Sequence, residues 1–367
     1  MGDTRALHIG VDGRELLGRS TGVGRYLGEV LRTWNADTAF PHRVSVFVPA
    51  PPAREVVALA SRFNCQIETG GGSGTWWEQT RLPRAVKREA VDVFFAAGYT
   101  APLRLACPSV LAVYDVSFFA HPEWFGWREG HRRRWLTKRS ARRASSIVTI
   151  SDFSAAEIVR HLGVPRERIR RAPPGAPPLS RMTDNRDRAP LVLFVGSLFN
   201  RRRIPELIRG FALAAQQVPD ARLVLVGDNR TRPALDPMSI ARDLGVADRV
   251  EWRAYVDDAT LRTLYERARV FAFLSDYEGF AMTPLEAIAA GVPPILLDTP
   301  VAREVYRDGA WLVTGEPSAI GSAMTMLLTD PSAHADLLEA GRRRLARYSW
   351  SRSAAVIRRA LEDAVPT

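Results

Sequence analysis

Glu278 and Glu286, eight residues apart, close the segment Ser275-Asp276-Tyr277-Glu278-Gly279-Phe280-Ala281-Met282-Thr283-Pro284-Leu285-Glu286-Ala287. The first falls in a glycine-containing loop after the apolar run 270–274, and the second about one turn into a helix expected to run to residue 290. Ionised carboxylates only accept hydrogen bonds, so two of them held apart suit a long ligand with hydroxyls at both ends. A nucleotide sugar is such a molecule. The spacing alone is weak, because surface carboxylates are plentiful. Its setting counts for more: strand, loop and helix, then Gly291-Val292-Pro293-Pro294 and the apolar run 295–297. Ligands of open parallel sheets bind outside the carboxyl ends of the strands.

Four further stretches stand between expected strands and helices. Thr21-Gly22-Val23-Gly24-Arg25-Tyr26 opens the first helix. Its glycines let backbone approach a ligand, and N–H groups at a helix start attract phosphate. A plain helix-start loop fits the same residues. Gly196-Ser197-Leu198-Phe199-Asn200-Arg201-Arg202-Arg203 follows the run 191–195. Three guanidiniums there are placed to clamp a diphosphate through bidentate contacts, although a solvated arginine cluster would read alike. The run 223–226 ends in Gly227-Asp228, where a nucleotide can pack closely, and the run 110–113 ends in Tyr114-Asp115, a carboxylate placed to orient a hydroxyl.

These stretches need a frame that repeats. Apolar runs at 7–11, 44–48, 91–95, 110–113 and 146–150 alternate with helical patterns at 22–34, 52–62, 129–144 and 154–162. After a proline-rich segment at 172–178 and a polar one at 183–188 the plan recurs. Strands are expected at 191–195, 223–226, 250–252, 270–274 and 294–297, with helices between them and three more to residue 364. Short apolar strands alternating with helices imply parallel sheets covered on both faces. The chain is thus α/β, with two Rossmann-like doubly wound domains facing each other across a cleft. Expected bounds are 1–178, 179–350 and a C-terminal helix, 351–367, packing back on the first domain.

A chain of 367 residues exceeds one typical domain. The net charge of +11 rests almost wholly on arginine, since lysine occurs only at Lys87 and Lys138. A basic surface favours phosphates, anionic lipid or nucleic acid. The arginines are dispersed and no nucleic-acid-binding motif appears, so no nucleic-acid partner is expected. Cys65 and Cys107 are read as reduced thiols. The polar start and strand-length apolar runs lead to an expected cytoplasmic location.

The ordered set resembles the retaining nucleotide-sugar glycosyltransferases of family four, the group-one type with the GT-B fold and an E-x7-E signature, and in particular their mannosyltransferase-like members. Gly22 to Tyr26 resembles the family's N-terminal Gly-x-Gly-x-Tyr loop, and Gly196 to Arg203 its Gly-x-x-x-x-Arg-Lys-Asn diphosphate clamp. Trp77-Glu78-Gln79, His121-Pro122-Glu123, Ser151-Asp152-Phe153-Ser154 and Glu304 resemble other recurrent positions. The resemblance implies that Glu278 holds donor-sugar hydroxyls, with Gly279 and Phe280 beside it, and that Glu286 binds the ribose. It implies that Arg201 and Arg202 neutralise the diphosphate, and that Gly22, Gly24, Gly196 and Gly227 line the donor site. Asp115 joins Glu278 and Arg202 as a catalytic residue. No protein nucleophile, metal or cofactor is then expected. Tyr114 replaces a frequent histidine, while Arg202 and Arg203 replace Lys and Asn, which opens the question of donor choice.

The expected donor is GDP-mannose or a UDP-sugar. The expected acceptor is a glycan or lipid-linked molecule in envelope polysaccharide or glycolipid synthesis, with Tyr114, Trp77 and Tyr99 on its side. Residues 124–143 combine tryptophans with a basic helix and fit a peripheral contact at the inner membrane face, or simply a solvated helix. A GT-B epimerase and a non-catalytic sugar-nucleotide-binding or scaffold protein remain the alternatives.

Overall fold

Aliphatic runs flanked by glycine and proline form two wholly parallel sheets. The structure, a computed structural model, describes residues 6–18, 22–51, 63–69, 72, 74–179 and 188–366. The helix expected at 52–62 lies outside these residues, as do Thr21, Gly70, Gly71, Ser73 and 183–187.

The chain divides into two units, Met1–Gly175 with Ser349–Thr367, and Ala176–Tyr348. In the first unit β1 (His8–Asp12), β2 (Arg43–Val48), β3 (Asn64–Ile67), β4 (Val93–Ala96), β5 (Ser109–Ala112), β6 (Ser146–Thr149) and β7 (Ile169–Arg171) lie in the order β3-β2-β1-β4-β5-β6-β7. In the second, β8 (Leu191–Val195), β9 (Arg222–Val226), β10 (Val250–Arg253), β11 (Val270–Phe273), β12 (Pro294–Leu297) and β13 (Trp311–Val313) lie in the order β10-β9-β8-β11-β12-β13. Both orders reverse direction beside the first strand, between β1 and β4 and between β8 and β11. Loops diverge at such a switch point and open a crevice at the carboxyl ends. The central strands are buried on both faces, which is why β4, β8 and β11 read as unbroken apolar runs.

The C-terminal helix Trp350–Glu362 belongs to the first unit. It buries Ala354, Ile357 and Leu361, accepts the Trp34 indole N–H at the Ala354 carbonyl (3.1 Å) and pairs Glu362 with His42 Nε2 at 2.9 Å. The proline-rich segment at 172–178 is tied down rather than loose. Tyr26 donates to the Ala172 carbonyl at 2.7 Å, and Ser353 donates to that of Pro173. Arg188, at the end of the expected linker, donates to the carbonyls of Ala268 (2.9 Å) and Ala290 (2.8 Å), which follow the helices Asp258–Arg267 and Met282–Ala289. A cation there satisfies orphan carbonyls and complements the negative ends of both helix dipoles.

Among the described residues no helix is long and apolar enough to cross a membrane.

Candidate functional site

At the switch point of the second unit, the loops after β8 and β11 bring three predicted residues together. Arg202 donates through Nη2 to Glu278 Oε1 at 3.0 Å, and Arg201 Nε lies 3.8 Å from the same oxygen. Ser275 donates its hydroxyl to Oε1 at 2.9 Å. All these contacts fall on one carboxylate oxygen, and Glu278 lines a pocket together with Phe280, Ala281, Thr299 and Tyr306. The Arg202 guanidinium lies 4.4 Å from the ring centre of Phe273, and that of Arg201 4.4 Å from Phe199. Aromatic faces hold the cations in place without neutralising them.

Arg202 is largely buried, and its Nε finds no hydrogen-bond acceptor among the described residues. Burial pulls its pKa below the ordinary guanidinium value, while the Glu278 carboxylate opposes that shift. A buried donor without a partner is rare, and a guanidinium held this way suits an anionic ligand.

Two glycines make this crowding feasible. Gly196 has φ +147°, and a Cβ there would sit 2.0 Å from Arg202 Nη1. Gly227 also has φ +147°, and its Cβ would fall 2.0 Å from the Gly196 carbonyl oxygen. The missing side chain at Gly227 admits the neighbouring loop. Ser197 donates to Asp228 at 2.5 Å and braces that loop from the other side.

Of the three arginines, two reach Glu278. Arg203 takes a left-handed conformation (φ 46°) and turns to Asp276, 2.7 Å away, so it makes no contact with Glu278. Its guanidinium instead lies against Gly315. Ala281 is also left-handed (φ 66°) and starts the helix Met282–Ala289, which has no side-chain cap. Left-handed non-glycine residues cost about 1–2 kcal/mol each and gather where geometry is over-determined. Glu286, on that helix, accepts the Tyr265 hydroxyl at 3.2 Å. Tyr306 donates its hydroxyl to the Ala281 carbonyl, in the loop between the two glutamates. Burial pushes its hydroxyl well up, and Tyr348, Glu286 and Glu278 add to the shift. Gly279 and Phe280 lie between the two glutamates, with Phe280 buried edge-on to Tyr348 at 5.1 Å.

In the first unit, Gly22 and Gly24 occupy the first turn of the helix Gly22–Ala36. Asp115 accepts the Tyr99 hydroxyl and the Ser117 N–H, both at 2.8 Å, which fixes the half-buried carboxylate after β5. Two acceptor-side expectations are corrected. Tyr114 is buried, donates its hydroxyl to the Ala97 carbonyl at 2.8 Å, and packs edge-on to Tyr26 and Tyr99. Burial raises its pKa well above the ordinary value, so it is neither an exposed wall nor a base. Trp77 is fully buried and its indole donates to the Glu68 carbonyl at 2.8 Å. Tyr99 is half-buried at φ 62°, and Arg133 covers its ring at 4.7 Å.

The motif segments also have structural work. Ser151 caps the helix Asp152–Leu162 by accepting the Ser154 N–H at 2.9 Å, and Ser154 donates to the Tyr114 carbonyl at 2.9 Å. His121 stacks on Trp124 at 3.9 Å. Glu78 is buried, accepting Arg14 Nη2 at 2.8 Å and the Thr100 hydroxyl at 2.5 Å, while Arg14 also grips Asp12 at 2.7 Å. This network joins the ends of β1 and β4. Asp12 and Arg14 went unnoticed in the sequence because an Asp-Gly-Arg turn reads as ordinary surface. Removing Glu78 leaves Arg14 partly uncompensated, so Glu78→Ala should cost about 3 kcal/mol and lower the melting temperature by roughly 6–12 °C. A calorimetric scan checks it.

Residues 179–344 match the family described as Glycosyl transferases group 1, and residues 20–178 match Glycosyltransferase Family 4. The chain carries a Family 4 glycosyltransferase domain followed by a group 1 glycosyltransferase domain. Over 356 residues this glycosyltransferase chain is 27% identical to a GDP-mannose-dependent alpha-(1-6)-phosphatidylinositol monomannoside mannosyltransferase of Mycolicibacterium smegmatis, covering 88% of one and 90% of the other. It is 26% identical over 292 residues to the O-antigen chain mannosyltransferase B of Escherichia coli, covering 70% and 71%. Other curated relatives, one of them 31% identical, are matched over well under two thirds of their length. The structure of Anabaena Alr3699/HepE in complex with UDP and glucose superposes with a TM-score of 0.76 at 18% identity, covering 97% of this chain and 100% of that one. The glycosyltransferase fold is thus of the GT-B kind, built on two Rossmann-like sheets.

Proposed function

We propose that the chain is a retaining glycosyltransferase that moves a hexosyl group, with mannosyl favoured, from a nucleoside-diphosphate sugar to a glycan or lipid-linked acceptor. Envelope polysaccharide or glycolipid synthesis is the setting this reading gives it. The observation that carries the reading is the pairing of a buried, incompletely satisfied Arg202 with a glutamate that lines a pocket. Two relatives bear mannosyltransferase names, one of them GDP-mannose-dependent, and a fold neighbour is in complex with UDP and glucose. GDP-mannose and UDP-sugars are the donors to try first.

In this reading the diphosphate takes the place that Glu278 Oε1 holds on Arg202, and Arg201 joins it. The N-terminus of the helix Met282–Ala289, lacking a side-chain cap, adds backbone donors and the positive end of its dipole. As the glycosidic bond breaks, negative charge collects on the leaving diphosphate. Fixed guanidiniums stabilise that charge with no metal ion, and such preorganised contacts are commonly the largest catalytic contribution. Freed from Arg202, Glu278 accepts hydroxyls of the donor sugar, and Glu286 with Tyr265 accepts those of the ribose. The acceptor attacks on the face the diphosphate leaves, and a phosphate oxygen takes its proton. Asp115, held by Tyr99 and Ser117, keeps lone pairs for an acceptor hydroxyl in the first unit.

Supplying GDP-mannose and UDP-glucose with a panel of lipid-linked and free glycans, then reading the product anomeric centre by NMR, tests this directly. An α-product from an α-linked donor is expected. A β-product, or tight donor binding without turnover on any acceptor, would overturn retention or catalysis respectively.

A further inference from the structure

The helix Trp127–Arg143 is far more basic than its contacts in the fold require. It carries eight arginines and lysines against the single acid Glu129. Two of these cations turn inward: Arg133 lies over Tyr99 and Phe118 at 4.7 and 4.6 Å, and Arg134 donates to the Phe118 carbonyl at 3.1 Å. The outward set is different. Arg128, Arg139 and Arg142 are exposed, and among the described residues none of them pairs with a carboxylate. Elsewhere the surface arginines often find one, as Arg242 does with Asp236 and Arg303 with Asp298.

Large indoles share this unneutralised face. Trp127 is 73% exposed and Trp135 is 55% exposed, two turns apart on one side of the helix. Trp76, at the start of the helix Thr75–Arg88, is also 55% exposed. Arg132 ties the two helices by donating to the Thr75 hydroxyl at 2.8 Å. Between them runs a groove of about 360 Å³, lined in part by Leu103, Arg104, Trp135 and Leu136. Arg139 lies 5.2 Å from the Trp135 ring, and Arg81 5.8 Å from that of Trp76. Hydrated cations alongside indoles on one helical face match the boundary of a bilayer, where rings enter the headgroup layer and guanidiniums meet lipid phosphates.

We propose that this face of the first unit docks in plane on an anionic lipid bilayer. Trp127 and Trp135 insert, while Arg128, Arg139 and Arg142 meet the headgroups. Charge complementarity selects an anionic surface, and the indoles select one with an apolar layer beneath it. A nucleic acid would satisfy the charge but would bury these rings only where unstacked bases met them. The proposal does not rest on the glycosyl-transfer reading, because its residues lie outside the donor site and its readout needs no donor.

The test is co-sedimentation of the full chain with two kinds of vesicle: pure phosphatidylcholine, and phosphatidylcholine with phosphatidylglycerol at roughly two to one. Binding to the mixed vesicles alone is expected, with a blue shift of tryptophan emission and loss at high salt. W127A/W135A should weaken it about tenfold and R128E/R139E/R142E should abolish it, with melting temperatures unchanged. Equal binding to both vesicles, no binding to either, or variants that bind like the wild type would overturn the proposal. So would RNA binding at physiological salt that vanishes in the same variants while vesicles are ignored.

Discussion

Glu278→Gln should lower glycosyl transfer at least about a hundredfold and leave nucleoside diphosphate binding unchanged or tighter. The second half of that expectation follows from the geometry. Glu278 Oε1 accepts from Arg202 Nη2, so in the proposed reading the carboxylate competes with the diphosphate for the same guanidinium. An amide keeps the size and one acceptor but gives up the charge. Arg202 stays protonated, since even burial does not bring a guanidinium near neutral pH. Transfer suffers because the neutral amide no longer orients the sugar hydroxyls through a charged acceptor. Turnover and calorimetric titration with the diphosphate, run on one preparation, separate the two effects. Wild-type turnover in the variant would remove Glu278 from the site.

Gly227→Ala should cost upwards of about 3 kcal/mol and abolish diphosphate binding together with stability. The added Cβ would meet the Gly196 carbonyl oxygen at 2.0 Å, its carbon at 2.5 Å and the Ser197 nitrogen at 3.0 Å. All three are backbone atoms, which cannot swing aside as the end of a long side chain can. Gly196 itself donates to Val226 at 2.8 Å and Gly227 to Arg253 at 2.9 Å, so neither loop can retreat without losing a bond that extends the sheet. Because Gly196 also lies against Arg202, any shift there moves the guanidinium. Gly245→Ala is the comparison. Gly245 also has a positive φ (+69°, in the left-handed helical region) but nothing within 4 Å of its Cβ, so only a conformational cost of about 1–2 kcal/mol should appear. Denaturant melts of both variants check this, and a Gly227→Ala protein as stable as Gly245→Ala would refute the packing argument.

The sequence was most legible where burial is complete. β4, β5, β8, β9, β11 and β12 are apolar throughout or nearly so, because both faces of a central parallel strand are covered. It was least legible at the sheet edges. β3 is Asn64-Cys65-Gln66-Ile67 and β7 is Ile169-Arg170-Arg171, each covered on one side only and correspondingly polar. The helix Thr75–Arg88 escaped because Pro83 sits in its interior, where proline normally ends a helix. Within the site, Glu278, Arg201 and Arg202 were readable because charge at a strand end has few structural excuses. Ser275 and Thr299, which line the pocket, were not, since small hydroxyl residues in loops carry no distinguishing pattern. Trp77 and Tyr114 misled for the opposite reason. Aromatics near motifs look like ligand walls, and only their buried hydrogen bonds to Glu68 and Ala97 reveal them as packing.

The donor site is tested most directly by thermal stabilisation with GDP, UDP, ADP and dTDP, each with and without magnesium, on the wild type and on Arg202→Ala. At about a hundred times its dissociation constant a bound nucleotide adds roughly 2.7 kcal/mol, well within what a melting curve resolves. One diphosphate should stand out, magnesium should not change its shift, and Arg202→Ala should lose it. No shift from any nucleotide, or a full shift that survives Arg202→Ala, would contradict the arginine pair as the diphosphate site.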